Sequence, residues 1–153
     1  MEFGSIDREI YVEASPEIVF EVVSNPEHVQ AWWPDVAEYE TKPGATGHIS
    51  FGDIADGGHV AAFEVVDVQP PRLFSFRWTQ PSGEAAVEGN SLFVTFELSP
   101  SGSGTLVKFA ETGFREMGWE IAVLEETYND HVNGWNYYIP RLAPYAQSLE
   151  LHA

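Results

Sequence analysis

The chain contains no cysteine among its 153 residues. That absence excludes disulfides, zinc ribbons and thiol catalysis. Basic residues are scarce too: 7 Lys and Arg stand against 24 Asp and Glu, a formal net charge of −17. Nucleic-acid binding depends on neutralising phosphates with Lys and Arg, so nucleic acid is excluded as a partner. The same charge repels anionic lipid headgroups. No apolar run approaches the roughly 20 residues that a membrane-spanning helix needs, so no membrane span is expected. Residues Met1 to Arg8 carry acids early and lack the apolar stretch of a signal peptide, which makes the cytoplasm the default location. No internal repeat and no linker interrupts the sequence, and one domain over residues 1–153 is expected.

Motifs for reaction chemistry are also missing. No Gly-x-Ser-x-Gly occurs. The histidines His28, His48, His59, His131 and His152 never pair closely, so no metal is assigned. Glu125 and Glu126 are adjacent on a helix and diverge rather than face each other. A general acid or base inside a cavity would come from Tyr128, His131, Tyr138, Glu64 or Glu111, but spacing alone pairs none of them. No catalytic residue and no cofactor is assigned.

What the sequence does hold is aromatic: 5 Trp, 6 Tyr and 10 Phe. Large flat side chains either fill a core or line a cavity. Ile6 to Ala14 alternates apolar and polar residues as a half-buried strand. Ser15-Pro16-Glu17 opens a helix with a capping hydroxyl, a proline in the first turn and an acid at the positive end of the dipole. Asn25-Pro26-Glu27 repeats that signal, so a second short helix is expected to reach about Trp33 and stop at Pro34. Val36 to Gly113 reads as strands and turns. Within it His59–Val68, Leu73–Thr79, Ser91–Leu98 and Thr105–Thr112 alternate in an antiparallel meander, with loops at residues 53–58 and 80–90. Beyond about Met117 the period changes. Val132, Trp135, Ile139, Leu142, Ala146 and Leu149 form one helical stripe, within which Pro140 predicts a kink near Asn136 and Pro144 threatens a second break. The wide apolar face of this helix needs the sheet to cover it, and the space the two leave is a cavity.

Several of these segments look familiar as a set. They are Ser15-Pro16-Glu17-Ile18-Val19-Phe20, Asn25-Pro26-Glu27-His28, Trp32-Trp33, and Pro70-Pro71-Arg72-Leu73-Phe74-Ser75-Phe76-Arg77-Trp78. Gly104-Thr105 with Thr112-Gly113-Phe114, and His131-Val132-Asn133-Gly134-Trp135 with Leu142, complete the order from Ile6 to about Tyr145. The chain resembles the heat-shock-protein-90 ATPase activator homologue-like branch of the START-related helix-grip superfamily (SRPBCC, polyketide cyclase-like). The resemblance implies an α+β helix-grip fold: a curved antiparallel sheet of about seven strands around a long C-terminal helix, with two short helices after strand 1. It also implies a cavity between sheet and helix, but no particular reaction, because fold does not fix function.

Trp33, Phe51, Phe63, Phe76, Trp78, Phe93, Phe109, Trp135 and Tyr138 fall on elements expected to face that cavity. Singly, each reads first as core; as a group they suit a hydrophobic or aromatic small molecule such as a lipid, polyketide or flavonoid. Arg77 and Arg141 are candidates to orient an acidic group on such a ligand, against the alternative of surface ion pairs. Two other roles stand beside binding: an accessory protein to a chaperone ATPase, which would need a protein partner for the acidic surface, and a polyketide cyclase-like acid–base enzyme.

Overall fold

The computed structural model describes residues 4–52, 59–79, 91–117 and 119–151. The two loops expected at residues 53–58 and 80–90 lie outside the described residues. The elements run β1 (Ser5–Val12), α1 (Pro16–Ser24), α2 (Pro26–Trp32), β2 (Val36–Glu38), β3 (Thr46–Phe51), β4 (His59–Gln69), β5 (Leu73–Thr79), β6 (Ser91–Ser101), β7 (Gly104–Thr112) and α3 (Ile121–Leu151).

The strands form one seven-stranded antiparallel sheet in the order β1-β7-β6-β5-β4-β3-β2. Only β1 is out of sequence: it returns to pair with β7, Ile6 opposite Glu111 and Val12 opposite Thr105. The β6–β7 hairpin closes between Ser101 and Gly104, with Gly102 at φ +57, a left-handed conformation that glycine adopts without a Cβ penalty. The strand therefore runs three residues further than Leu98, because Pro100 lies in the sheet opposite Thr105 and does not end it.

The two short helices start as their caps dictate. The Ser15 hydroxyl accepts from the Ile18 amide at 3.3 Å, and the Asn25 side chain accepts from the Glu27 amide at 3.0 Å. Pro16 and Pro26 each occupy the first helical turn, where the missing N–H costs nothing. Val19, Phe20, Val22 and Val23 of α1 and Val29 and Trp32 of α2 are buried.

α3 is a single helix of 31 residues that continues through both prolines. The break feared at Pro144 does not occur, and the reason is placement. Pro140 and Pro144 are four residues apart on the exposed side, as is Asn136, so carbonyls that lose an N–H partner there face water. On the opposite side Trp135, Ile139, Leu142 and Ala146 are buried against the sheet. The concave face of the sheet meets this stripe with Phe63, Phe76, Trp78, Val94, Phe96, Val107 and Phe109.

Candidate functional site

α2 ends at Trp32, and Trp33 turns off it just before Pro34. Its indole lands between helix and sheet. The ring centroid lies 4.9 Å from Trp135 on α3, 5.2 Å from Trp78 on β5, 5.5 Å from Phe76 and 6.0 Å from Phe51 on β3. Such contacts each add about 0.5–1.5 kcal/mol beyond the area they bury. Around this cluster opens a cleft of about 410 Å³, lined on the sheet side by Trp33, Phe51, Trp78 and Thr79. Its helix side is Thr127, Asp130, His131, Gly134, Trp135 and Tyr138, which recur at steps of three and four and so share one face of α3.

A buried carboxylate organises the floor. Glu111, on the inner strand β7, is 0% exposed. Its Oε2 accepts from Trp78 Nε1 at 2.8 Å, and its Oε1 accepts from Trp135 Nε1 at 2.8 Å. His131 Nδ1 lies 2.8 Å from the same Oε1. An indole N–H only donates, so both carboxyl oxygens of Glu111 accept, and His131 shares Oε1 with Trp135. The arrangement has a second effect. With their N–H edges committed to Glu111, Trp78 and Trp135 turn their remaining, purely carbon surface to the cleft. The His131 ring is held in place between Trp78, at 5.2 Å, and Phe114, at 5.5 Å.

Gly134 is the gap in the helix wall. Among the described residues, a Cβ added there would meet no atom within 4 Å beyond its chain neighbours and the helix's own backbone. Glycine within a helix is disfavoured by about 1 kcal/mol relative to alanine, and no such described atom demands it here. Tyr138 sits at the rim, its ring 6.2 Å from Phe51. Desolvation, followed by the nearby Asp35 carboxylate, pushes its hydroxyl above the ordinary tyrosine range, while Arg141 pulls it the other way. Asp35 itself accepts from the Gly52 amide at 2.5 Å, beside Phe51.

The nine aromatic candidates therefore divide. Trp33, Phe51, Trp78, Trp135 and Tyr138 line the cleft. Phe63, Phe76 and Phe109 share its side of the sheet but lie behind it as packed core: Phe63 stacks on Phe76 at 4.3 Å and on Tyr39 at 4.4 Å, and Phe109 packs on Trp135 at 4.6 Å. Phe93 does not join them. Alternation puts it on the opposite face of β6 from Leu92, Val94 and Phe96, where the Arg77 guanidinium lies 5.1 Å from its ring centre. Arg77 is thus on the outer face, and Arg141 is exposed over Tyr137 and Tyr138, so neither arginine lines the cleft. Thr79, Thr127 and Asp130 line it without standing out in the sequence, whereas Gly134 belongs to the His131-Val132-Asn133-Gly134-Trp135 segment that carries the resemblance. The Glu111–His131 pair was legible only in part: Glu111 has the inward parity of β7, an odd place for an acid, but its partners lie 20, 24 and 33 residues away.

A sheet gripping one long helix, with an aromatic cleft between them, defines a helix-grip α+β domain. Residues 13–147 match the family model described as Activator of Hsp90 ATPase homolog 1-like protein, and the chain belongs to that family. Solved structures share the fold at low identity. Protein MLL2253 from Mesorhizobium loti is 20% identical with a TM-score of 0.69, over 94% of this chain and 97% of that one. The Aha1 dimer from Colwellia psychrerythraea is 17% identical with a TM-score of 0.62, over 91% and 92%. CalU16 from Micromonospora echinospora is 17% identical with a TM-score of 0.59, over 97% and 86%. No curated protein sequence matches the chain. No described helix is long and apolar enough to cross a membrane.

Proposed function

We propose that the chain binds an aromatic or otherwise hydrophobic small molecule in the cleft between α3 and β3–β5. The observation that carries this reading is the lining itself. Three indoles, Phe51 and Tyr138 surround about 410 Å³, within the usual size range of small-molecule sites. Gly134 supports it, because the helix tolerates a residue that weakens it and that leaves open space at the wall.

The test is titration of the protein with polycyclic aromatic compounds, read by tryptophan emission and by the shift in melting temperature that mass action imposes on a bound state. Saturable binding is expected for the wild type. Gly134→Leu fills the gap with a good helix former and should remove that binding while the protein stays folded by circular dichroism. Unchanged affinity in Gly134→Leu, or no binding by the wild type, would sink the proposal.

A second reading, acid–base chemistry on the bound molecule, has the Glu111–His131 contact in its favour. A carboxylate that fixes a histidine ring at a cleft wall is the usual arrangement for orienting a general base. Turnover of a polyketide-like substrate by the wild type, lost in His131→Ala and altered in Tyr138→Phe, would support it. A role as an ATPase-activating accessory protein draws only on the family description; stimulation of a chaperone ATPase in a mixed assay is its test.

A further inference from the structure

Resting on the binding reading above, we infer that the ligand of the cleft is an organic cation: an aromatic body carrying an ammonium or comparable positive group. The argument is one of charge placement around an apolar site. Among the described residues, no lysine or arginine lines the cleft. Arg77 lies on the outer face of the sheet against Phe93, and Arg141 stacks over Tyr137 and Tyr138 on the exposed side of α3. Carboxylates, in contrast, stand in the helix wall, near the rim and beneath the floor. Asp130 lines the helix side. Asp35 lies on the sheet side, bonded to the Gly52 amide beside Phe51 and close enough to act on Tyr138. Glu111 lies beneath the floor, bonded to two of the lining indoles.

Two further features point the same way. The indole N–H groups of Trp78 and Trp135 donate to Glu111, so those donors are spent and are not offered to an anionic ligand. What the rings present instead is π surface, which attracts a cation and repels an anion. The net charge of −17 adds a field that concentrates cations at the surface and slows the approach of anions. A fatty acid or other carboxylate would enter a site with Asp130 in its helix wall and Asp35 near its rim, and with no lysine or arginine among its described lining residues; Arg141 lies outside the lining, stacked on Tyr138. A neutral aromatic would fill the space but leave the carboxylates unused.

The probes are three naphthalenes of matched size: (2-naphthylmethyl)trimethylammonium, its uncharged carbon isostere 2-neopentylnaphthalene, and 2-naphthylacetate. The ammonium compound should bind about tenfold more tightly than the isostere, the factor expected from a partly desolvated cation over aromatic rings, with the acetate weakest. Raising the salt should shrink that advantage. Asp130→Asn, on the exposed helix surface, should weaken the ammonium probe about threefold and leave the isostere unchanged. Gly134→Leu should lose all three probes.

Each outcome decides something. Equal affinity for the ammonium compound and its isostere, or preference for the acetate, overturns the charge inference and leaves the aromatic-binding proposal standing. Binding by none of the three removes both. Ammonium binding that survives Gly134→Leu assigns it to the acidic surface instead of the cleft and overturns the inference as well.

Discussion

The two ends of α3 lie on the same sheet and are built on opposite plans. Towards its C-terminus the helix presents Ile139, Leu142 and Ala146, and the short helices close over it. Val12, Ala14, Val19, Leu142 and Ala146 are all 0% exposed there. Hydrogen bonds fasten the seam: Gln147 accepts from the Glu13 amide at 3.0 Å, Glu150 accepts from the Ser15 amide at 3.0 Å, and His28 meets the Tyr145 hydroxyl at 2.7 Å. Towards its N-terminus the helix carries Thr127, Asp130, His131, Gly134, Trp135 and Tyr138, and a cleft stands where the other end is filled. The N-terminal half is tied to β1 through Tyr128 donating to the Ser5 carbonyl at 2.7 Å, and the C-terminal half to the segment just after it through the Glu13 and Ser15 amides. Aliphatic side chains fill one end; at the other, aromatic rings bonded to a buried carboxyl group line the cleft.

The largest effect should come from that buried carboxyl group. Glu111→Ala leaves two indole N–H groups and His131 without their acceptor and should cost about 3–5 kcal/mol in urea unfolding. Near-ultraviolet circular dichroism should lose its tryptophan signal at the same time, since Trp78 and Trp135 lose the bonds that fix them. Leu142→Ala attacks the filled end and should cost about 3 kcal/mol. If the two ends are independent, that variant keeps the wild-type affinity for aromatic probes; a joint loss would mean that the halves act as one unit.

Tyr39 tests the packed side of the sheet. Its ring stacks on Phe63 and its hydroxyl donates to the Ser24 carbonyl at 2.7 Å. Burial pushes the hydroxyl above its ordinary value of 10.0. The folded state therefore keeps a proton that the unfolded chain releases. The stability this contributes is fully present below about pH 10 and is lost as pH rises further, towards the raised folded value. Tyr39→Phe should cost about 1 kcal/mol at neutral pH and should flatten the fall of stability above pH 10 in a denaturation series. The smallest change should be a gain. Gly134→Ala has room for its methyl and should stabilise the helix by about 0.5–1 kcal/mol, while weakening aromatic ligands only by what the methyl displaces.

Local rules carried much of this architecture. Ser15 and Asn25 announce both short helices, alternation separates the two faces of β1, β5, β6 and β7, and the stripe from Val132 to Leu149 describes the buried side of α3. Parity outranks composition on a strand, and surroundings outrank a local rule in a helix. Phe93 is aromatic, but its neighbours Leu92 and Val94 hold the inward positions of β6, so it faces outward. Pro144 does not end α3, because its exposed position leaves the freed carbonyl to water. The site itself was less legible, since the Glu111 contacts join β5, β7 and α3, and no local pattern records which strand meets which turn of a helix.

The filled end of α3 has a consequence for how such a chain can change over generations. Because Leu142, Ala146 and the short helices secure the packing, positions on the helix rim of the cleft are released from holding the chain together. Thr127, Asp130, Gly134 and Tyr138 can drift, and each substitution alters what fits without asking the scaffold to refold. Trp78, Trp135 and His131 lack that liberty, since all three meet the Glu111 carboxyl and none can be exchanged alone without taking a partner from that buried group. Novelty should accumulate on the rim, and inheritance on the floor.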